Sequence, residues 1–371
     1  MITSEELKTI LAKGILAPSA DNLQPWKFRV RRQRTAPQQT FYVDLFLDQA
    51  RVQNFCDTGL LAPYISAGAV IENLRVASRC KGYQLAVTYF PDKPDPFYVA
   101  SLRLDPVIFK DHTHETCVER RVTNRKFYEN RQTIDQSVYS RLEQLADVER
   151  KFELTFIRKS SPKYSKLVRI VGEADKLRFE IPRLHRELMA LMRMNPKEAE
   201  ETQDGLDLRT LESGPGGSLL FNLIRSWERL NLFNRLGMSR LFGFYASLQM
   251  LSSQAAGLLV APSQSSLDYV RGGELMERIW HEATNLGLAI QPMEALPIFI
   301  MNLQQNQIGD FTKRQKEKLN RLKEEFFSLF VLQEENALIF LFRLGYAPSP
   351  AYRSLRRNLE SFLLSDSDVK V

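Results

Sequence analysis

Cysteine is scarce in this 371-residue chain: Cys56, Cys80 and Cys117 are all it has. The number is odd and no Cys-x-x-Cys occurs. Neither a disulfide framework nor a zinc knuckle is therefore expected, and a reducing cytoplasm is the simplest setting. Basic blocks with interleaved aromatics are also lacking, which argues against a nucleic-acid partner. The opening MITSEELKTILAKGIL carries Glu5 and Glu6 where a signal peptide would be basic, and it has no apolar centre. It reads as an amphipathic helix with Leu7, Ile10, Leu11 and Ile15 on one side and Thr3 or Ser4 as N-cap. Long apolar runs are nearly absent. Residues 241–267 hold no charge, but Gln249, Ser252, Ser253, Gln254, Pro262, Ser263 and Gln264 interrupt them. A spanning helix of about 20 residues would be more uniform. A buried helix followed by a short strand at Gly257–Val260 is expected, with no membrane partner.

What is present suffices for a large core or two modest ones: 44% of residues are hydrophobic and 10% aromatic. The net charge of +7 suits an anionic cofactor or substrate, but it is spread along the chain and names no partner.

An internal repeat organises the sequence. Gly68, Glu72 and Gly82 recur at the same spacing as Gly273, Glu277 and Gly287. The apolar pairs Val70/Leu275, Ile71/Met276 and Leu74/Ile279 match as well. Each copy reads as a helix ended by a glycine that can take a left-handed C-cap. The repeat suggests two related halves, each built around a central helix. Strands are expected at Phe28–Arg31 and Phe41–Leu47 (a hairpin around 33–39), Tyr83–Phe90 and Phe97–Leu104. Further candidates are Phe152–Ile157, Gly257–Val260, Ile298–Asn302 and Ala337–Leu344. Helices fill much of the rest, so the fold class is α+β. Residues 175–254 lack a counterpart in the first half. They show helical stretches at Ile181–Met194 and Leu219–Leu236, joined by a polar link ending near Gly214-Pro215-Gly216-Gly217. This insertion is either an extra layer on the core or a lid.

Two segments carry chemistry. In an extended stretch Arg121, Thr123 and Arg125 point the same way and can converge on one anion, with guanidinium forks matching phosphate oxygens. The alternative is a solvated basic stretch before a helix starting near Asp135. In Pro18-Ser19-Ala20-Asp21-Asn22-Leu23-Gln24-Pro25-Trp26, the Asn22 and Gln24 amides can both donate and accept, as the edge of a pyrimidine-type ring requires. Trp26 can anchor the loop. The alternative is a helix-to-strand loop without a ligand.

These residues resemble the nitroreductase family of FMN flavoproteins, whose hallmarks include Pro-Ser-x-x-Asn-x-Gln-Pro-Trp and Arg-x-Ser/Thr-x-Arg/Lys-x-Phe. Glu282 to Ala295 resembles the family's helix end and flavin-facing turn. Gly345-Tyr346-Ala347-Pro348 with Arg356-Arg357-Asn358-Leu359 looks like its C-terminal strand and basic tail. The matches run from about residue 11 to 360, with 175–254 unmatched. The order departs from the common one, in which the arginine segment precedes the Pro-Ser loop and two subunits share each FMN. It looks like the Acg-like subgroup, in which one long chain imitates the dimer.

The resemblance implies a nitroreductase-like fold in a single-chain pseudo-dimer, with halves at 1–118 and 119–371 and a helical insertion at about 175–254. It implies one FMN site. Arg121, Thr123 and Arg125 would bind phosphate and nearby atoms, with Arg356 or Arg357 closing that side. Pro18, Ser19, Ala20, Asn22 and Gln24 would border the ring. Backbone around Pro292, Met293, Glu294 and Ala295 would face flavin N5. Family members commonly have glycine where Ala295 stands, and alanine resists positive φ. No side chain is implied as catalytic acid or base. Hydride would pass from NAD(P)H to a nitroarene or quinone-type acceptor, and the missing GxGxxG loop does not oppose this, since nicotinamide docks transiently in this family. The alternative is an Acg-type flavin-sequestering protein with little or no turnover. His112-Thr113-His114-Glu115-Thr116-Cys117 holds metal-ligand types, but no metal is expected there. Asp204-Gly205-Leu206 is either a surface turn or an acid presented to the flavin.

Overall fold

The computed structural model describes residues 2–35, 38–52, 59–129, 132–148, 151–214 and 216–365. Cys56, Pro215 and the centre of the 33–39 turn lie outside the described residues. The first stretch of chain runs α1 (Ser4–Gly14), β1 (Trp26–Thr35), β2 (Gln38–Leu47), α2 (Leu61–Cys80), β3 (Tyr83–Tyr89), β4 (Tyr98–Pro106) and α3 (Glu115–Arg120). Next come α4 (Gln136–Val148), β5 (Glu153–Arg158), α5 (Pro162–Arg178), α6 (Pro182–Leu191), β6 (Met192–Arg193), α7 (Pro196–Thr202) and β7 (Leu206–Asp207). Then follow α8 (Gly217–Leu223), α9 (Trp227–Arg235), α10 (Met238–Ser252), β8 (Ala255–Ala261), α11 (Ser266–Asn285), β9 (Ala289–Pro292), α12 (Ala295–Gln304), α13 (Lys313–Phe330) and β10 (Ala337–Gly345). Helices segregated around two four-stranded antiparallel sheets, with a short parallel β6–β7 pair, make the class α+β, as expected.

The chain forms two compact units. Residues 1–121, 265–285 and 355–371 make the first; residues 122–264 and 286–354 make the second. The division expected at 118/119 would assign α11 and the C-terminal tail to the second half. Both pack in the first unit instead.

The first unit is an antiparallel sheet in the order β1-β2-β4-β3, with the β1–β2 hairpin as expected. Thr3 is the N-cap of α1 and makes a full capping box with Glu6, which satisfies two otherwise orphaned donors. Leu7, Ile10 and Leu11 are the buried face of this helix. The two repeat helices, α2 and α11, lie against each other, and the repeated glycines are the reason. A Cβ on Gly68 would sit 1.9 Å from the Val270 carbonyl oxygen and 2.9 Å from the Gly273 Cα. A Cβ on Gly273 would sit 2.0 Å from the Ile65 carbonyl oxygen. Beyond the helix ends, Gly82 (φ +85°) and Gly287 (φ +73°) take the left-handed conformation the sequence predicts.

Charge is buried along the same helix pair. Glu72 pairs with Arg75 and, at 3.2 Å, with Arg278, while Arg75 reaches Glu274. Burial alone would raise the Glu72 carboxyl. The Arg278 and Arg75 guanidiniums outweigh it and hold the group down at about 2.

The second unit is an antiparallel sheet in the order β5-β8-β10-β9. Every residue of β8 and β10 is buried, which explains their continuous apolar sequences. The strand expected at Ile298–Asn302 is instead inside α12. A short β-branched apolar run fits a buried helix as well as a strand, and tertiary packing decides. The charge-free 241–267 stretch becomes α10 and β8, and no helix among the described residues is long and apolar enough to cross a membrane. The insertion has its own apolar cluster around Phe179, Leu188, Met192, Leu206, Leu208, Ile224 and Leu230. The helix expected at 219–236 is broken in two, with Ser226 capping the start of α9.

Candidate functional site

In the second unit, residues 123–129 lie along the sheet. Thr123 bridges to Ile290 of β9, and Glu129 bridges to Tyr346 just past β10. The main chain between them is gripped from beneath. Gln249 Nε2 donates to the Arg125 carbonyl at 3.0 Å, and Arg343 Nη2 donates to the Lys126 carbonyl at 2.6 Å. Arg343 is fully buried. It also donates to Gln291 Oε1 at 2.7 Å and to the Gln249 carbonyl at 2.9 Å, and it stacks 3.8 Å from the Tyr128 ring centroid. Burial pushes its pKa down, against the pull of the nearby tyrosines. Carbonyl dipoles and a ring face compensate a cation that no carboxylate among the described residues touches.

With its main chain pinned, this segment turns two cationic side chains toward the insertion. Arg125 Nη1 donates to the Thr210 carbonyl at 3.2 Å. Lys126 Nζ pairs with Glu212 Oε2 at 3.2 Å, and the other Glu212 oxygen accepts from the Ala351 N–H at 3.1 Å. A carboxylate held by an ammonium and a main-chain amide occupies an anion-accepting position.

The 18–24 loop belongs to the first unit and is tightly engaged. Asp21, Asn22 and Gln24 all have positive φ (47°, 57° and 53°), and Ser19 Oγ accepts from the Gln24 N–H at 2.9 Å. Asn22 donates to the Leu355 carbonyl and accepts from Arg356 Nη1 at 2.8 Å. Gln24 is fully buried, and its Oε1 accepts from the Arg357 N–H at 3.0 Å. The C-terminal tail therefore uses the two amides that the sequence offers to a ring. Pro18 and Ala20 are partly exposed in the same loop.

Arg356 donates to the carbonyls of Ile15, Leu16 and Ala17, and Arg121 Nη2 donates to the Leu16 carbonyl at 2.9 Å. These carbonyls belong to the three residues just past α1, at the helix end that carries partial negative charge. Arg121 is buried as well. Its Nε lies 2.9 Å from Glu277 Oε1, and its guanidinium lies 4.8 Å from the Trp280 ring centroid. Arg121 thus sits in the first unit, engaged by Glu277, while Thr123 and Arg125 sit in the second, both partly exposed.

Pro292, Met293, Glu294 and Ala295 form the turn from β9 into α12. The Met293 N–H donates to the Leu341 carbonyl at 2.7 Å, and the Leu341 N–H donates to Glu294 Oε1 at 3.0 Å. Glu294 is in the right-handed region (φ −85°, ψ −7°) and Ala295 is the first helical residue. No positive φ occurs at Ala295, so alanine costs nothing there. Burial pushes the Glu294 carboxyl up to about 8, against the Leu341 N–H that favours its charged form. A carboxyl raised in the fold makes its full contribution below its unfolded value, about 4.3, and loses it as pH rises through about 8. Glu294→Gln should flatten that decline and be more stable than the parent at pH 9. The gain should be on the order of 1–2 kcal/mol, allowing for partial exposure. Urea unfolding at pH 5 and pH 9 reads this; parallel profiles for the two proteins would refute it.

Asp204 pairs with Arg193 at 2.6 Å beside Gly205 (φ +69°), so that motif is a salt-bridged turn. In the His112–Cys117 segment, His112 Nδ1 bonds Glu115 Oε2 at 2.7 Å, and Cys80 joins them within 4.8 Å. Lys13 and Lys81 line the same small pocket, and their charge opposes a cation there. Sequence reasoning missed Arg343, Gln249 and Gln291. The available signal was a lone arginine inside the apolar run Ala337–Gly345.

No family model matches the chain. It is 24% identical over 369 residues to an uncharacterised protein, MT1398, of Mycobacterium tuberculosis, covering 93% of this chain and 46% of the relative. It is 31% identical over 114 residues to a putative NAD(P)H nitroreductase, acg, of the same species, covering 31% of this chain and 32% of the relative. The chain thus spans less than half the length of these curated relatives. Among solved structures, the FMN- and NADPH-dependent nitroreductase NfnB of sphigopyxis sp. strain HMH aligns with 67% of this chain and 96% of its own, at 14% identity and a TM-score of 0.36. NfnB of Mycobacterium smegmatis, in complex with NADPH, aligns over the same shares at 13% identity and a TM-score of 0.36.

Proposed function

We propose that this chain, a member of the nitroreductase family with an Acg-like relative, is an NAD(P)H-dependent flavin oxidoreductase that holds FMN. Electron-poor nitroarenes or quinones are the acceptor class we propose. The observation that carries the reading is the clamped 123–129 segment with its two cationic side chains at an anion-accepting position. The residues fit the cofactor in part. Arg125, Lys126 and the Thr123 hydroxyl suit a phosphate group, since guanidinium, ammonium and hydroxyl donors match its oxygens. Arg121, Asn22 and Gln24 are engaged elsewhere and offer less. When bound, FMN would supply the hydride-accepting centre. The chain's own part is to fix the anionic end through a main chain that Arg343 and Gln249 hold still.

One observation favours a second reading, flavin sequestration without turnover: Thr210 and Glu212 of the insertion already hold Arg125 and Lys126. Both readings require FMN and differ in reduction. The test is FMN content per chain, followed by anaerobic addition of NADH and NADPH. Bleaching of the flavin absorbance supports the oxidoreductase; a bound flavin that neither reagent bleaches supports sequestration. A folded, colourless protein that ignores added FMN overturns both. Arg125→Ala should weaken FMN binding by roughly tenfold to a hundredfold, the worth of a charge-assisted hydrogen bond. Glu212→Ala, by removing the internal competitor, should strengthen it. Unchanged affinity in both variants would refute the phosphate assignment.

A further inference from the structure

We propose that the outer face of the insertion docks on an anionic lipid surface. Of the large apolar side chains the fold leaves exposed, an unusual share lies on three consecutive helices. Leu219 and Leu223 are on α8, Leu232 and Leu236 are on and just past α9, and Leu241, Phe244 and Leu251 are on α10. The exposure is substantial: 76% for Leu219, 85% for Leu236 and 60% for Phe244. These helices do not lack a core. Their inner faces supply Leu220, Phe221, Ile224, Leu230, Phe233, Met238 and Phe242 to the insertion's own apolar cluster. Each helix is therefore apolar on two sides, one buried and one open. A helix of that kind calls for a second apolar surface.

Charge selects the occupant. Arg229, Arg235 and Arg240 are exposed on α9 and α10 and Arg225 on the link before α9, against a single exposed acid on these elements, Glu228. None of the four guanidiniums has a carboxylate partner among the described residues. Arg229, Leu232 and Leu236 follow at steps of three and four, which places them on one stripe of α9 and its end. Leucine and phenylalanine beside unpaired arginine is the composition of an interfacial helix, which lies in the headgroup plane and does not span. A two-fold contact would bring two copies of this basic patch face to face, so a second copy fits less well.

The test uses the full chain and sedimentation with vesicles of phosphatidylcholine alone or with about one third phosphatidylglycerol. Binding should be at least about tenfold tighter to the anionic vesicles and should fall as salt rises from about 0.05 M to about 0.5 M. The pairs Leu232→Gln/Leu236→Gln and Arg229→Gln/Arg235→Gln should each weaken it at least about tenfold, with unchanged near-ultraviolet circular dichroism and thermal midpoint. Equal affinity for both vesicle types, no binding, or binding that neither pair disturbs would overturn the proposal. So would a concentration-dependent dimer in sedimentation velocity that Leu232→Gln/Leu236→Gln dissolves while vesicles are ignored; that result assigns the face to a second copy.

Discussion

Arg343→Met should destabilise the second unit by about 3 kcal/mol or more and loosen its grip on the 123–129 segment. Methionine fills much of the volume but donates nothing. It leaves Gln291 Oε1 and the Lys126 carbonyl without their donor in a buried site, while the Gln249 carbonyl keeps only its bond from Ser252 Oγ. Each orphaned buried acceptor costs about 1–3 kcal/mol. Relief of the desolvated charge offsets part of the sum, which is why the expectation is not larger. Urea unfolding measures the loss. FMN binding measured under native conditions should fall too, because Arg125 and Lys126 ride on the main chain that Arg343 holds. Arg343→Lys keeps the charge but not the planar fork, and should recover only a minor part. A loss within about 0.5 kcal/mol for Arg343→Met, the range of an ordinary surface change, would remove Arg343 from the support of the site.

Gly68→Ala should cost about 3 kcal/mol, opposite in sign to what helix propensity predicts. Alanine in a helix interior is favoured over glycine by about 1 kcal/mol. At this position the added Cβ would fall 1.9 Å from the Val270 carbonyl oxygen and 2.7 Å from the Glu274 nitrogen, both main chain. Neither can swing aside, so α2 and α11 must separate, and overpacking of this kind costs about 1–3 kcal/mol or more. Separation also strains the buried Glu72–Arg75–Glu274 cluster between the same helices. Gly309→Ala is the control, because a Cβ there meets nothing within 4 Å and its φ is not in the left-handed region. It should be neutral or stabilising by up to about 1 kcal/mol. A neutral Gly68→Ala in denaturant unfolding would show that the two helices are not in tight contact.

The sequence alone carried the helical repeat: period, glycine positions and left-handed ends are local properties, and all three are in the fold. It carried the strands around β1–β4 and β10, whose apolar runs and turns are unambiguous. Ile298–Asn302 was misread because a five-residue apolar run has no period to distinguish strand from helix. The insertion's unmatched character was legible, but not the break at Ile224–Ser226 or the outward stripes, since an apolar residue does not declare which side of a helix will find a partner.

What the residues by themselves determined is the inventory: an arginine-threonine-arginine segment, a polar proline-rich loop, a basic tail and two copies of one helix. Only tertiary structure decided which of these groups remain available. Arg121 meets Glu277, Gln24 meets the Arg357 main chain, and Lys126 meets Glu212, partners separated by 156, 333 and 86 positions. Periodicity and spacing report on neighbours within a few turns. A hydrogen bond satisfied from the far end of the chain leaves no local trace, and it is such bonds that set a polar side chain to holding the fold or to meeting a ligand.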